Sequence, residues 1–128
     1  MMNNKFFQFL GLTKKAGKLI EGYNQCEDAL SHGRGTLIIL SEESAVNTKD
    51  KFKRLSIKNV IPLIEGVSNE TLGKCLGRPE INVLCVNDKK MTNKLLSLWN
   101  KMNESVENTE STESIESVES VESKENNE

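Results

Sequence analysis

Thr36-Leu37-Ile38-Ile39-Leu40-Ser41-Glu42-Glu43 is the stretch that decides the fold. A short run of β-branched and apolar residues stands between the turn-forming Gly33 and Gly35 on one side and polar Ser-Glu-Glu on the other. It is too short for a helix and does not alternate apolar with polar, which is the pattern of a strand covered on both faces. Such a strand needs a layer above and a layer below, and the flanking sequence supplies them.

Toward the N-terminus, Gly22 opens a helix that ends at Gly33 and Gly35, with Cys26, Ala29 and Leu30 as its inner face. Lys18 to Glu21 has room only for a short strand. Before it, Phe6, Phe7, Leu10 and Leu12 fall largely on one face of a helix over residues 4–16, with Asn3 or Asn4 as N-cap and Gly17 as the stop. Toward the C-terminus, Asn47-Thr48 caps a helix that runs through Ile57, carrying Phe52, Leu55 and Ser56 inward and Lys49, Lys51, Lys53 and Lys58 mainly outward. Val60 to Ile64 is a strand whose Pro62 favours an edge position. A short helix from Ser68 ends near Gly77, Ile81 to Val86 is the last strand, and Asp88 caps a final helix with Met91, Leu95, Leu98 and Met102 in register and Trp99 beside that stripe as core. Helices alternating with short strands predict an α/β fold, a three-layer α/β/α sandwich around a small mixed sheet of about four strands.

The chain has 128 residues and a formal charge of −2, which hides a division. Residues 1–103 hold 16 Lys and Arg against 10 Asp and Glu, giving +6, whereas residues 104–128 hold one Lys and nine Glu, giving −8. The expected domain, residues 1–103, is therefore moderately basic, as in a nucleic-acid binder, although basic bodies are also common in proteins that bind none. From Glu104 to Glu128, Glu recurs with a strict period of three. A helix advancing 100° per residue would spread those charges round its cylinder and a threefold helix would align them, so the expected state of 104–128 is a disordered acidic tail. Such a tail could compete with phosphates for the basic body, or simply solubilise it.

Cys26, Cys75 and Cys85 are odd in number and form no Cys-x-x-Cys pair, so neither a disulfide framework nor a metal site is expected. The element order lets Cys75 and Cys85 approach one another, though free Cys is commonly a small buried hydrophobe. No apolar run approaches the length of a membrane span, and Met1 to Leu12 is interrupted by Gln8 with no small-residue cleavage signal after it. A soluble cytoplasmic protein with reduced thiols is expected. Glu42 and Glu43 are adjacent in an extended segment and point apart, so they do not form an acid/base pair, and the single His32 has no nucleophile arranged beside it. No catalytic residues are assigned.

Gly22-Tyr-Asn-Gln is the most suggestive tetrapeptide. A helix N-terminus offers unpaired amides and a positive dipole end, Asn24 and Gln25 can each donate and accept, and Gly22 lets a ligand approach the backbone. The same residues also suit an ordinary N-cap and first turn. Together with Phe9-Leu-Gly-Leu, Lys14-Lys-Ala-Gly-Lys, Leu37-Ile-Ile-Leu-Ser-Glu-Glu and Leu72-Gly-Lys-Cys-Leu-Gly77, in this order and spacing, they resemble the kink-turn RNA-binding ribosomal-protein superfamily, the L-seven-Ae group, and most closely its small bacterial YlxQ-type members. The resemblance extends over residues 6–99. It implies that Gly22, Asn24 and Gln25 occupy a Gly-x-Asn-Glu-x-x-Lys type motif that reads tandem sheared G·A pairs, with Gln25 where Glu is usual. Asp28 stands where Lys is frequent, a local change of two charges.

The resemblance further implies that Arg78 and Ile81, after Leu72-Gly-x-x-x-Gly77, shield the RNA bend, while a Gly-terminated helix and a strand entry would account for the same residues structurally. Lys14, Lys15, Lys18 and Arg34 are the cations that could contact phosphates if they share the face. The expected partner is structured RNA, ribosomal RNA or a kink-turn, bound by a monomer in ribosome or translation-related complexes with no cofactor. A translation-associated protein-interaction module that has lost kink-turn binding is the alternative, and a recognition domain acting in trans for an RNA-modifying enzyme is a third.

Overall fold

A computed structural model describes the backbone of residues 4–110 and the side chains of 4–103. Its elements are α1 (Lys5–Lys15), β1 (Leu19–Glu21), α2 (Tyr23–Ser31), β2 (Leu37–Ser41), α3 (Val46–Asn59), β3 (Leu63–Val67), α4 (Asn69–Leu76), β4 (Val83–Val86) and α5 (Lys89–Glu110). The chain divides into two compact units between Leu96 and Ser97. The first contains the whole sheet.

The sheet order is β1-β4-β2-β3. β2 pairs parallel with β3 and antiparallel with β4, which pairs antiparallel with β1. Every residue of β2 is buried, because the strand is interior to the sheet and covered on both faces. Ile38, Leu40, Val83 and Cys85 form one face, packed with Cys26 and Leu30 of α2 and Phe52 of α3. Alternation along the strands leaves Leu37, Ile39, Leu84 and Val86 for the other face, the side of buried Phe6 and Leu10 of α1, Leu72 and Leu76 of α4, and Leu95 of α5. The expected three layers and mixed four-stranded sheet are present.

Local chemistry sets the boundaries. Asn4 is the cap of α1, its side chain accepting from the Phe6 and Phe7 amides, and Ser68 caps α4 by accepting from Thr71. Asp88 accepts from the Met91 amide at 2.9 Å, as its position before the last helix predicts. α3, by contrast, starts two to three residues early. Its cap is Ala45, with no side-chain cap bond, so Asn47 and Thr48 lie inside the first turn. β4 begins at Val83 rather than Ile81, since Asn82 is held by side-chain bonds described below.

Val60, expected to open a strand, instead ends α3 in the left-handed conformation at φ 56° and ψ 52°. Its amide donates to Ile57, and Ile61 and Ser56 exchange bonds through N–H to O at 3.0 Å and Oγ to O at 2.6 Å. Pro62 therefore precedes β3, which is indeed an edge strand. The cysteines also differ from expectation. Cys85 lies with Cys26 in one core, whereas Cys75 is on α4, its thiol donating to Leu72 O.

In the first unit, α5 buries Thr92 and Leu95. In the second, Leu98, Trp99 and Met102 are partly buried. The helix runs past Asn103 to Glu110, since extending a formed helix adds a hydrogen bond for each residue fixed. The remainder of the stretch expected to be a disordered tail, 111–128, lies outside the described residues.

A β-branched residue at positive φ costs about 1–2 kcal/mol, and Val60, at 87% exposure, recovers almost nothing by burial. Val60→Gly is expected to stabilise the protein by roughly 1 kcal/mol, read as a higher urea midpoint at unchanged m-value.

Candidate nucleic-acid interface

The pairing directions put the C-terminal ends of β1, β2 and β3 and the start of β4 at one edge of the sheet. Gly22 stands there, at the end of β1, its amide donating to Val83 O at 2.9 Å. It adopts φ 99° and ψ 155°, a region open essentially to glycine alone. No protein atom lies within 4 Å of the position a Cβ would take, so backbone conformation rather than crowding requires glycine. α2 has no side-chain cap, which leaves its first-turn amides and dipole end open.

From that turn Asn24 and Gln25 project into solvent. Tyr23 does not. Its ring packs edge-on against Phe52 with centroids 5.3 Å apart, and Lys51, paired with Glu27, sits over it. One side of α2 is thus fixed to α3 while the Asn-Gln pair stays accessible.

The loop after α4 forms the facing wall. Gly77 ends α4 in the left-handed conformation, with the amides of Gly77 and Arg78 returning to the carbonyls of Lys74 and Gly73. The chain then folds back over Gly73, where an added Cβ would lie 2.6 Å from Arg78 O and 2.7 Å from Glu80 N. Asn82 anchors the far end of the loop. Its Oδ1 accepts from Ser41 Oγ at 2.6 Å and Asn69 Nδ2 at 3.2 Å, and its carbonyl accepts from Ser44 Oγ. Gly22, Arg78 and Ile81 consequently line one cleft of about 460 Å³. Ile81 is only 6% exposed, so it is principally a core side chain with an edge at the cleft.

The expected cations do not all gather here. Lys14 reaches the edge, bonding Glu21 at 3.1 Å and Leu76 O at 2.8 Å, and Arg78 Nε bonds the other oxygen of Glu21. Lys15 neighbours them at the end of α1, exposed, with no ion pair to a described residue. Lys18 precedes β1 and Arg34 follows α2, so both lie at the opposite edge of the sheet. α2 alone spans about 13 Å. Arg34 is also engaged by Asp28 at 3.5 Å, with His32 Nδ1 3.6 Å from the same carboxylate. Asp28 is four residues beyond Asn24 and shares its helical face, so Arg34 offsets that anion and does not reinforce the Gly22 cleft.

Sequence reasoning missed Glu21, because its partners are 7 and 57 positions away and no local pattern marks it. It also missed the role of Gly73, whose only signal was the second residue of Leu72-Gly-x-x-x-Gly77. Glu43, adjacent to the central strand, caps the start of α4 by accepting from the Asn69 amide at 2.8 Å. Burial pushes the Cys75 thiol up to about 11, and the Cys85 thiol and burial raise that of Cys26, which makes both poor nucleophiles. Among the described residues no group of three His, Cys, Asp or Glu could hold a metal ion, and no helix is long and apolar enough to cross a membrane.

Residues 4–96 match the model of the ribosomal protein L7Ae/L30e/S12e/Gadd45 family. The RNA-binding protein YlxQ of Bacillus subtilis (strain 168) is 29% identical over 98 residues, which span 77% of this chain and 98% of that protein. The structure of a protein of unknown function from Bacillus halodurans superposes with a TM-score of 0.73 at 31% identity, over 77% of this chain and 99% of the other. The Giardia lamblia 15.5kD RNA binding protein gives a TM-score of 0.64 at 12% identity, over 81% of this chain and 92% of the other, a likeness of fold.

Gly73→Ala tests the loop's support. Alanine inside a helix ordinarily gains about 1 kcal/mol over glycine, whereas overpacking against backbone costs about 1–3 kcal/mol. A net loss of stability in urea unfolding is expected, with amide NMR shifts concentrated at Arg78–Asn82.

Proposed function

The chain belongs to the ribosomal protein L7Ae/L30e/S12e/Gadd45 family, and on that premise we propose that it is a non-catalytic RNA-binding protein that recognises kink-turn-like structured RNA in ribosome or translation-related complexes. The observation that carries this reading is the uncapped start of α2, with Gly22 in a glycine-only conformation and Asn24 and Gln25 exposed, set across a cleft from Arg78 and Ile81. The Bacillus subtilis relative is an RNA-binding protein, which supports it.

On this reading the amides of the first turn and the Asn24 and Gln25 side chains meet base and sugar edges of the G·A pairs. Each amide side chain donates and accepts, which suits the mixed pattern of a base edge. Lys14, Lys15 and Arg78 contact phosphates and set the register. Lys18 and Arg34, at the far edge, contribute long-range attraction rather than direct contacts in the cleft. The protein selects the bent RNA conformer, since it shifts the RNA equilibrium only by its differential affinity for the two shapes.

Asp28 favours a second reading, a translation-associated protein-interaction module. Its carboxylate shares the Asn24 face, and Arg34 is engaged in offsetting it. A groove of about 1150 Å³ between α1 and α4, lined by Phe7, Leu12 and Leu76 together with Lys14, Lys15 and Lys74, offers such a module a surface that is part apolar and part basic.

Titration with a short kink-turn RNA, beside the same RNA with its G·A pairs replaced and at two salt concentrations, separates the readings. The intact kink-turn should bind more tightly, and Asn24→Ala should remove roughly tenfold of that preference, within the 1–3 kcal/mol of a base-edge contact. Equal, steeply salt-dependent binding to both would leave phosphate attraction alone, and absence of binding would favour the protein-interaction module. Asp28→Lys should tighten binding and steepen the salt dependence by about one phosphate contact.

A further inference from the structure

We propose that Glu21 is a positioning residue for RNA selectivity, an inference that rests on the kink-turn reading: its carboxylate holds Lys14 and Arg78 at fixed places beside the α2 N-terminus. Glu21 is the last residue of β1 and directly precedes Gly22. Its side chain is 14% exposed, one oxygen meeting Lys14 Nζ at 3.1 Å and the other accepting from Arg78 Nε. Lys14 also donates to Leu76 O at 2.8 Å. One carboxylate therefore ties the end of α1, the end of β1 and the loop after α4.

Both cations remain available outward. Lys14 is 41% and Arg78 55% exposed. Lysine has three donors, and Arg78 uses Nε on Glu21, which leaves the four N–H groups of its terminal nitrogens. The other anions of the cleft are engaged differently, since Glu80 accepts from Asn69 Nδ2 and Glu43 from the Asn69 amide. Among the described residues Glu21 alone forms ion pairs with these two cations.

An anion at this position has two effects of opposite sign. It weakens attraction for any phosphate, because it cancels positive charge. It also orders two long side chains before RNA arrives, so an RNA that matches their positions no longer has to immobilise them. A generic phosphate gains little from that order, whereas a rigid, bent RNA gains most. Glu21 thus trades general affinity for selectivity.

The full chain and its Glu21→Gln, Arg78→Ala and double variants are to be titrated with the kink-turn RNA and its G·A-replaced control, with thermal melts to confirm comparable folding. Glu21→Gln is expected to bind the control severalfold more tightly, having lost an anion, and to lose roughly tenfold in selectivity. The selectivity loss should be smaller when Arg78 is already alanine, because the two residues act as a unit. A purely structural role would weaken both RNAs together, in step with the melting temperature. Tighter binding of both RNAs with selectivity intact would overturn the inference while leaving the kink-turn reading in place. If the wild-type chain fails to discriminate between the RNAs, the kink-turn reading fails and the role of Glu21 falls with it.

Discussion

Burial of β2 on both faces and along both sides is the constraint on which the rest of the structure depends. Leu37, Ile38, Ile39 and Leu40 have no exposed surface, and full burial of each such side chain is worth about 1.5–3 kcal/mol. To bury both faces the chain must place helices above and below, and to satisfy the backbone it must flank β2 with β4 and β3. The interior then has no room for a polar recognition surface. Ligand-facing groups are confined to the ends of the strands and the helix turns that adjoin them.

Strand direction decides which end. β1, β2 and β3 run the same way, and α2, α3 and α4 start just beyond them. Three helix N-termini therefore collect at one edge, the general place for ligands in open α/β sheets. They are finished differently. α4 is capped by Ser68 and further engaged by Glu43, whereas α2 has only Gly22 and α3 only Ala45, neither with a side-chain cap bond. Asn82 locks this edge by accepting from Ser41, Ser44 and Asn69. Leaving a buried polar group of this kind unpaired costs about 1–3 kcal/mol, so the loop that carries Arg78 is positioned by the same bonds that satisfy the core.

Electrostatics at this edge is local rather than a matter of field. The described body is basic by sequence, yet Glu21, Glu43 and Glu80 line the cleft beside one arginine. For a nucleic-acid ligand, attraction summed over a surface acts at a distance, while discrimination falls to where individual donors stand. The exposed Asp28–Arg34 pair contributes little to stability, as surface pairs are worth about 0–1 kcal/mol. Its effect is to make the lower part of the Asn24 face nearly neutral. Glu21 lies deeper and spans three elements, so its influence is on geometry.

The sequence by itself determined the order of elements, the central buried strand, a first helix start at Asn3 or Asn4, the helix starts at Ser68 and Asp88, and the glycine that opens α2. All of these follow from periodicity, capping and turn chemistry within a few residues. Ala45 and Val60 escaped that logic: α3 starts at Ala45 with no side-chain cap bond, and paired bonds between Ser56 and Ile61 close its last turn with Val60 in the left-handed conformation. Tertiary structure alone decided that Cys85 meets Cys26 rather than Cys75, that Lys14 and Arg78 converge on Glu21, and that Lys18 and Arg34 lie at the other edge. Those outcomes depend on strand order and direction. A one-dimensional pattern records which residues exist, but contacts between positions 14, 21 and 78 arise only when β4 inserts between β1 and β2 and carries the α4 loop to the end of β1.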